Sequence, residues 1–121
     1  MDKATLVLGA SPKPERVSNM AVRALRKRGI SVTAIGLRRS KVDDVPILAE
    51  WPGNLTGIHT VTLYMSAKHQ HSYYDRIIKL LPKRIIFNPG TQNEELADMA
   101  RETGIEVTEA CMLVMLKNGS F

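Results

Sequence analysis

Four short stretches of the chain hold residue types suited to an anionic ligand. The first is Gly9-Ala10-Ser11, followed by Arg16 and Ser18. Small residues after a strand let a ligand approach the backbone. A helix start just beyond offers free N–H groups and a favourable dipole to a phosphate. Ser18 can cap that helix or donate its hydroxyl to a phosphate oxygen, and Arg16 can present a planar fork to the same anion. The second stretch is Gly36-Leu37-Arg38-Arg39-Ser40-Lys41, the third Ser66-Ala67-Lys68-His69 and the fourth Asn88-Pro89-Gly90. The bases gather on the first two.

The second stretch narrows the chemistry. A nicotinamide or flavin dinucleotide site carries G-x-G-x-x-G after its first strand and an acid after its second, for the ribose hydroxyls. Here Gly9 stands alone in the first loop, and Arg38 and Arg39 occupy the place of the acid. Two bases suit a phosphate on the ribose, as in NADP or coenzyme A. The same run, with Lys41, also fits an ordinary solvated basic face.

Other reactive side chains are isolated. Cys111 is the single cysteine, which leaves it without an internal disulfide partner and reads most simply as a small buried hydrophobe. A sharper reading puts its sulfur near the ligand's. His69-Gln70-His71 suits a metal only on an extended segment with a third ligand, so no metal is expected. His59 starts a strand and reads as a packed or edge residue. No Ser-His-Asp order or nucleophile elbow appears, so no catalytic residue is assigned.

These stretches must be positioned by alternating strands and helices. Apolar or β-branched runs predict strands at 4–8, 31–35, 58–65, 84–87 and 105–108. Helical spacing predicts helices at 17–28, 72–81 and 94–103, the first and last stopped by Gly29 and Gly104. Residues 38–57, with Pro46 and Trp51-Pro52-Gly53, read as loop with one helical turn at most. This order predicts an α/β fold, a doubly wound three-layer sandwich on a five-stranded parallel sheet. Such sheets bind ligands beyond the carboxyl ends of their strands, where the order reverses.

Composition sets the outer limits. The 121 residues make one domain, with 44% hydrophobic and 24% charged residues as in a globular chain. Seventeen Lys and Arg against twelve Asp and Glu give +5 and favour anionic partners. Aromatics at 5% are too few for a base-stacking platform, and Arg23, Arg26, Lys27 and Arg28 on one helix also fit a solvated face, so nucleic acid is not the expected partner. No apolar run spans a bilayer, and a strand follows the first few residues directly. The expectation is a cytoplasmic protein without a membrane partner.

The opening motif, Gly9-Ala10-Ser11-x-x-Pro14-x-Arg16-x-Ser18, resembles that of small bacterial CoA-binding domain proteins. These are similar to the CoA-binding domain of the succinyl-CoA synthetase alpha subunit. The likeness continues through Phe87-Asn88-Pro89-Gly90-Thr91, Asn93-Glu94-Glu95 and Ala100 to Val107, and Cys111 falls where the family often has a Cys. The resemblance implies a Rossmann-like fold that binds CoA or acyl-CoA and is not catalytic by itself. It places Gly9, Ala10, Ser11, Arg16 and Ser18 on the phosphates. Arg38 replaces the family's usual Lys at the ribose 3′-phosphate, beside Gly36 and Arg39. Met65, Ser66, Asn88, Pro89 and Gly90 would line the pantetheine side. Two departures stand out, Leu37 for the usual Pro after strand two and Met112 for the Pro after the Cys. An NADP-binding minimal oxidoreductase is the alternative, and a nucleic-acid-binding protein a more distant one.

Overall fold

The structure is a computed structural model that describes residues 2–121. Its elements are β1 (Thr5–Ala10), α1 (Val17–Lys27), β2 (Val32–Gly36), β3 (Ser40–Val42), β4 (Val45–Leu48), β5 (Thr60–Leu63), α2 (Ala67–Gln70), a 3-10 turn (His71–Tyr73), α3 (Tyr74–Leu80), β6 (Arg84–Phe87), α4 (Glu94–Glu102), β7 (Glu106–Glu109) and α5 (Met112–Asn118). The strands form one sheet in the order β3-β4-β2-β1-β5-β6-β7. The chain starts at the middle, runs outward through β2 to the β3–β4 edge, then crosses back to the other side of β1 with β5. The order therefore reverses between β1 and β5.

Strand alternation builds the layers. In β1, Leu6 and Leu8 face the core shared with Tyr74 and Ile77 of α3 and Leu96, Ala97 and Ala100 of α4. Val7 and Ala10 face Ala21, Val22 and Leu25 of α1 and Met112, Met115 and Leu116 of α5. β6 repeats this, with Ile85 and Phe87 on one face and Ile86 on the other. A strand buried on both faces reads as a continuous apolar run, which is why β1 and β6 stand out in the sequence. The result is a Rossmann-like, doubly wound sandwich of three layers. No helix among the described residues is long and apolar enough to cross a membrane.

The sheet has seven strands among the described residues where five were expected. The two additions lie in residues 38–57, read from the sequence as loop. β3 and β4 form a hairpin around Asp43, whose φ is +52°. β3 is antiparallel to β4, and every other pairing is parallel. Pro46 is tolerated because it pairs only with Lys41 of β3, and the ladder to β2 begins one residue later, at Ile47. Two helical regions also differ. The segment expected at 72–81 begins at Ala67 and passes through the 3-10 turn, and α5 follows β7 where no helix was assigned.

Candidate functional site

The carboxyl ends of β1 and β5, on either side of the reversal, bring the first and third stretches together. β1 runs through Gly9 to Ala10 with a bulge after Leu8. Gly9 has a φ of +95°, and a Cβ there would lie 2.9 Å from the carbonyl carbon of Tyr64, just after β5. Gly36, at the end of β2, is tighter still, since its Cβ would lie 2.3 Å from the Ala10 carbonyl oxygen. The sequence alone suggested that these glycines let a ligand in. The close approach they permit in the structure is that of neighbouring strands.

The loop from Ser11 to Arg16 is held from beneath by Asn19, which the sequence does not single out, and by Arg23, which the sequence places on a solvated helix face. Buried Asn19 donates through Nδ2 to the Ser11 carbonyl at 2.9 Å and accepts at Oδ1 from Arg23 Nε at 2.8 Å. Arg23 in turn donates to the Pro14 carbonyl at 3.1 Å. The Ser11 hydroxyl accepts from the Lys13 N–H at 3.2 Å. A signal for Asn19 existed, because it shares the helix face of Val22 and a polar residue on an apolar face needs partners.

Arg16 is the N-cap residue of α1, and no side chain caps this eleven-residue helix. Its ladder opens with the Asn19 and Met20 N–H groups donating to the Arg16 carbonyl, both at 3.1 Å. The Val17 and Ser18 N–H groups at the positive end of the dipole are thus left for an outside acceptor. Ser18 lies in this first turn, 5% exposed, while Arg16 is exposed. Arg38 and Arg39 are exposed on the bend between β2 and β3, next to Leu37 at 98% exposure. The two ion pairs among the described residues, Arg26–Asp44 and Arg101–Asp98, use none of these three arginines. Their charge is available to an anion.

Across the reversal, Met65 is half-buried and Ser66 exposed. Ser66 Oγ and His69 Nδ1 lie 3.0 Å apart. Fully buried Gln70 donates to the Met65 carbonyl at 2.9 Å and the Thr91 carbonyl at 2.8 Å, and accepts from Asn93 Nδ2 at 2.9 Å. It ties the loop after β5 to the loop after β6. Its flanking histidines drew attention in the sequence, yet the structural residue is the glutamine between them. The helical path of this segment differs from the extended one on which a His-x-His pair shares a metal.

Asn88 is 2% exposed and faces inward. Its Nδ2 donates to Thr62 Oγ1 at 2.7 Å and the Leu63 carbonyl at 2.9 Å, and its Oδ1 accepts from the Met112 N–H at 2.9 Å. It joins β5, β6 and the start of α5. Pro89 and Gly90 are exposed beyond it, and the Gly90 N–H donates to Gln92 Oε1 at 2.9 Å. Cys111, half-buried, precedes α5 on the same edge. Burial of the Tyr64 hydroxyl pushes its pKa well up and keeps it protonated.

This open edge combines an uncapped helix start, three unpaired arginines and short loops fixed by buried amides. A model of the CoA binding domain matches residues 3–117. The chain belongs to the CoA-binding domain family. A crystal structure of an uncharacterized protein is 42% identical, with a TM-score of 0.95 over 100% of this chain and 99% of its own. A hypothetical protein from Pyrococcus horikoshii OT3 is 26% identical, with a TM-score of 0.86 over 97% and 83% of the two chains. The fold also recurs in the dinucleotide-forming acetyl-coenzyme A synthetase 1 of Ca. Korarchaeum cryptofilum. That match is 18% identical with a TM-score of 0.72, covering 89% of this chain and 25% of the synthetase chain. No curated protein matches. Membership in the CoA-binding domain family favours neither the NADP-dependent nor the nucleic-acid-binding alternative.

Proposed function

We propose that this chain is a CoA or acyl-CoA binding module that performs no catalysis by itself. The ligand's pyrophosphate lies against the loop from Gly9 to Arg16, on the free N–H groups of Val17 and Ser18, with the Ser18 hydroxyl beside them and Arg16 neutralising its charge. Arg38 and Arg39 take the ribose 3′-phosphate at the end of β2. The pantetheine arm runs along Met65 and Ser66 toward Pro89 and Gly90, over the platform that Asn88 and Gln70 hold in place. The observation that carries this reading is the uncapped α1 terminus flanked by arginines without acidic partners, on a chain of the CoA-binding family.

Calorimetric titration with CoA, dephospho-CoA and NADPH at moderate salt tests it. CoA binds most tightly, and loss of the 3′-phosphate weakens binding sharply. Arg16→Ala and Arg38→Ala each weaken CoA binding by about 1–3 kcal/mol, the range for a lost charge-assisted bond. Equal affinity for CoA and dephospho-CoA removes the arginine pair from the site. Unchanged CoA affinity in both variants removes the whole assignment.

A further inference from the structure

α1 carries a two-residue polar relay toward the loop that precedes it. Asn19 is 3% exposed. Arg23, one turn further along, is exposed and takes part in neither ion pair of the described residues. An exposed arginine on a helix ordinarily reads as solvated charge. Arg23 is instead fixed at two points. Its Nε donates to Asn19 Oδ1 at 2.8 Å, and its NH2 group donates to the Pro14 carbonyl at 3.1 Å. The first bond decides which way the Asn19 amide faces, because an oxygen held by Arg23 leaves the nitrogen for the loop. That nitrogen donates to the Ser11 carbonyl at 2.9 Å. Only an amide serves here, since a carboxylate accepts and does not donate.

The relay engages carbonyl oxygens, the groups that would spoil an anion site. Three carbonyls of the loop have donors within the protein. Ser11 is bound by Asn19, Lys13 by the Arg16 N–H at 3.0 Å, and Pro14 by Arg23. A carbonyl oxygen carries partial negative charge and repels a phosphate, whereas N–H groups attract it. A loop that receives phosphate therefore has to keep such oxygens on its inner side. Two of the three are kept there by side chains of α1 rather than by the loop itself.

We propose that Arg23 and Asn19 are positioning residues for the CoA pyrophosphate, which fix the loop from Ser11 to Arg16 with its carbonyl oxygens turned inward and do not touch the ligand. This rests on the CoA reading above and adds to it two residues outside the contact set. The relay acts on affinity because a loop already ordered in the free protein loses less freedom when the ligand arrives. Arg23 acts through its fork rather than its charge, since both of its acceptors are neutral.

The test is calorimetric titration of the full chain with CoA and with dephospho-CoA. Arg23→Ala is expected to weaken both ligands by the same factor, about fivefold, the scale of one ordinary hydrogen bond. Arg23→Lys keeps the charge but not the planar fork that reaches two acceptors, so it weakens both as much. Lys27→Ala removes the same charge from an exposed position on the same helix and leaves both affinities unchanged. Asn19→Asp sets a carboxylate oxygen against the Ser11 carbonyl and weakens both ligands about tenfold or more. In the ligand-free chain, the backbone order parameters of Lys13, Glu15 and Arg16 fall in both Arg23 variants. Unchanged affinity or an equally rigid loop in Arg23→Ala overturns the inference. Recovery in Arg23→Lys overturns it too, by assigning the effect to charge. Weaker binding of CoA alone would place Arg23 at the 3′-phosphate and likewise overturn it. A wild-type chain that takes up no CoA removes the functional reading and this inference together, whereas normal binding by both wild type and Arg23→Ala removes this inference alone.

Discussion

At the scale of single residues, the carboxyl edge separates groups that shape it from groups left free to bind. Gly36 belongs to the first kind, because the Ala10 carbonyl oxygen occupies the place of its side chain. Gly36→Ala must push β1 and β2 apart and is expected to destabilise the ligand-free protein by about 1–3 kcal/mol, the usual size of overpacking. Urea denaturation without ligand checks this, and an unchanged midpoint would mean the strands separate freely. Arg16 is of the second kind, exposed and free of ion pairs, so its loss acts on binding rather than on folding. The sequence displays both kinds as one motif. Spacing shows that a small residue is required after a strand but not whether a ligand or another strand comes close. The buried amides of Asn19, Gln70 and Asn88 are harder to read. Each acts through partners distant in the chain, such as Asn88 with Thr62 and Met112, and no local pattern announces such contacts.

At the scale of elements, the strands buried on both faces were legible because continuous apolar runs leave few alternatives. The β3–β4 hairpin was not, since its short strands include Pro46 and the exposed Ser40 and Lys41, and its turn is the exposed pair Asp43-Asp44, which resembles loop chemistry. Its strand character comes from tertiary partners, with β2 on one side of β4 and α1 beneath. α5 had usable signals in Lys117 near its end and Gly119 at a φ of +81° after it, but its apolar run Met112–Leu116 also suits a strand. The hairpin bears on the proposed 3′-phosphate contact because it follows the Arg38–Arg39 bend directly and so constrains how that bend leaves β2. Arg26 of α1 ties its turn through Nε to Asp44 Oδ1 at 3.0 Å and NH2 to Oδ2 at 2.8 Å. That hydrogen-bonded guanidinium holds the Asp44 carboxyl below its ordinary value of 3.8. A depressed carboxylate stabilises the fold above 3.8 and loses that contribution as pH falls through the folded value. Carbon-detected titration should find Asp44 below 3.8 in the native protein and back near it in Arg26→Ala. An unmoved Asp44 would show that the hairpin is tethered by something else.

At the scale of the whole molecule, bases stand at both edges of one sheet. Arg16, Arg38 and Arg39 lie toward the carboxyl edge, and Lys3, Lys83 and Arg84 toward the amino edge. His59 reports on the second group. Burial is the first cause of its lowered pKa and the charges of Arg84, Lys3 and Lys83 follow. A histidine with a folded pKa below its unfolded 6.5 binds protons more readily when unfolded. Its contribution to stability is therefore fully present above pH 6.5 and is lost progressively as pH falls below that value toward the folded pKa. Asp2 and Asp44, both lowered from 3.8, act in a separate and more acidic window. Urea unfolding at a series of pH values should thus show a slope below 6.5 that His59→Gln flattens while leaving the acid limb in place. Salt divides the two causes. It screens the charges of Lys3 and Lys83 but does little to the burial of the ring. At about 1 M salt, where the Debye length is about 3 Å, the His59 pKa should rise part of the way back and no further. A complete return would assign the shift to charge alone, and no movement would assign it to burial alone.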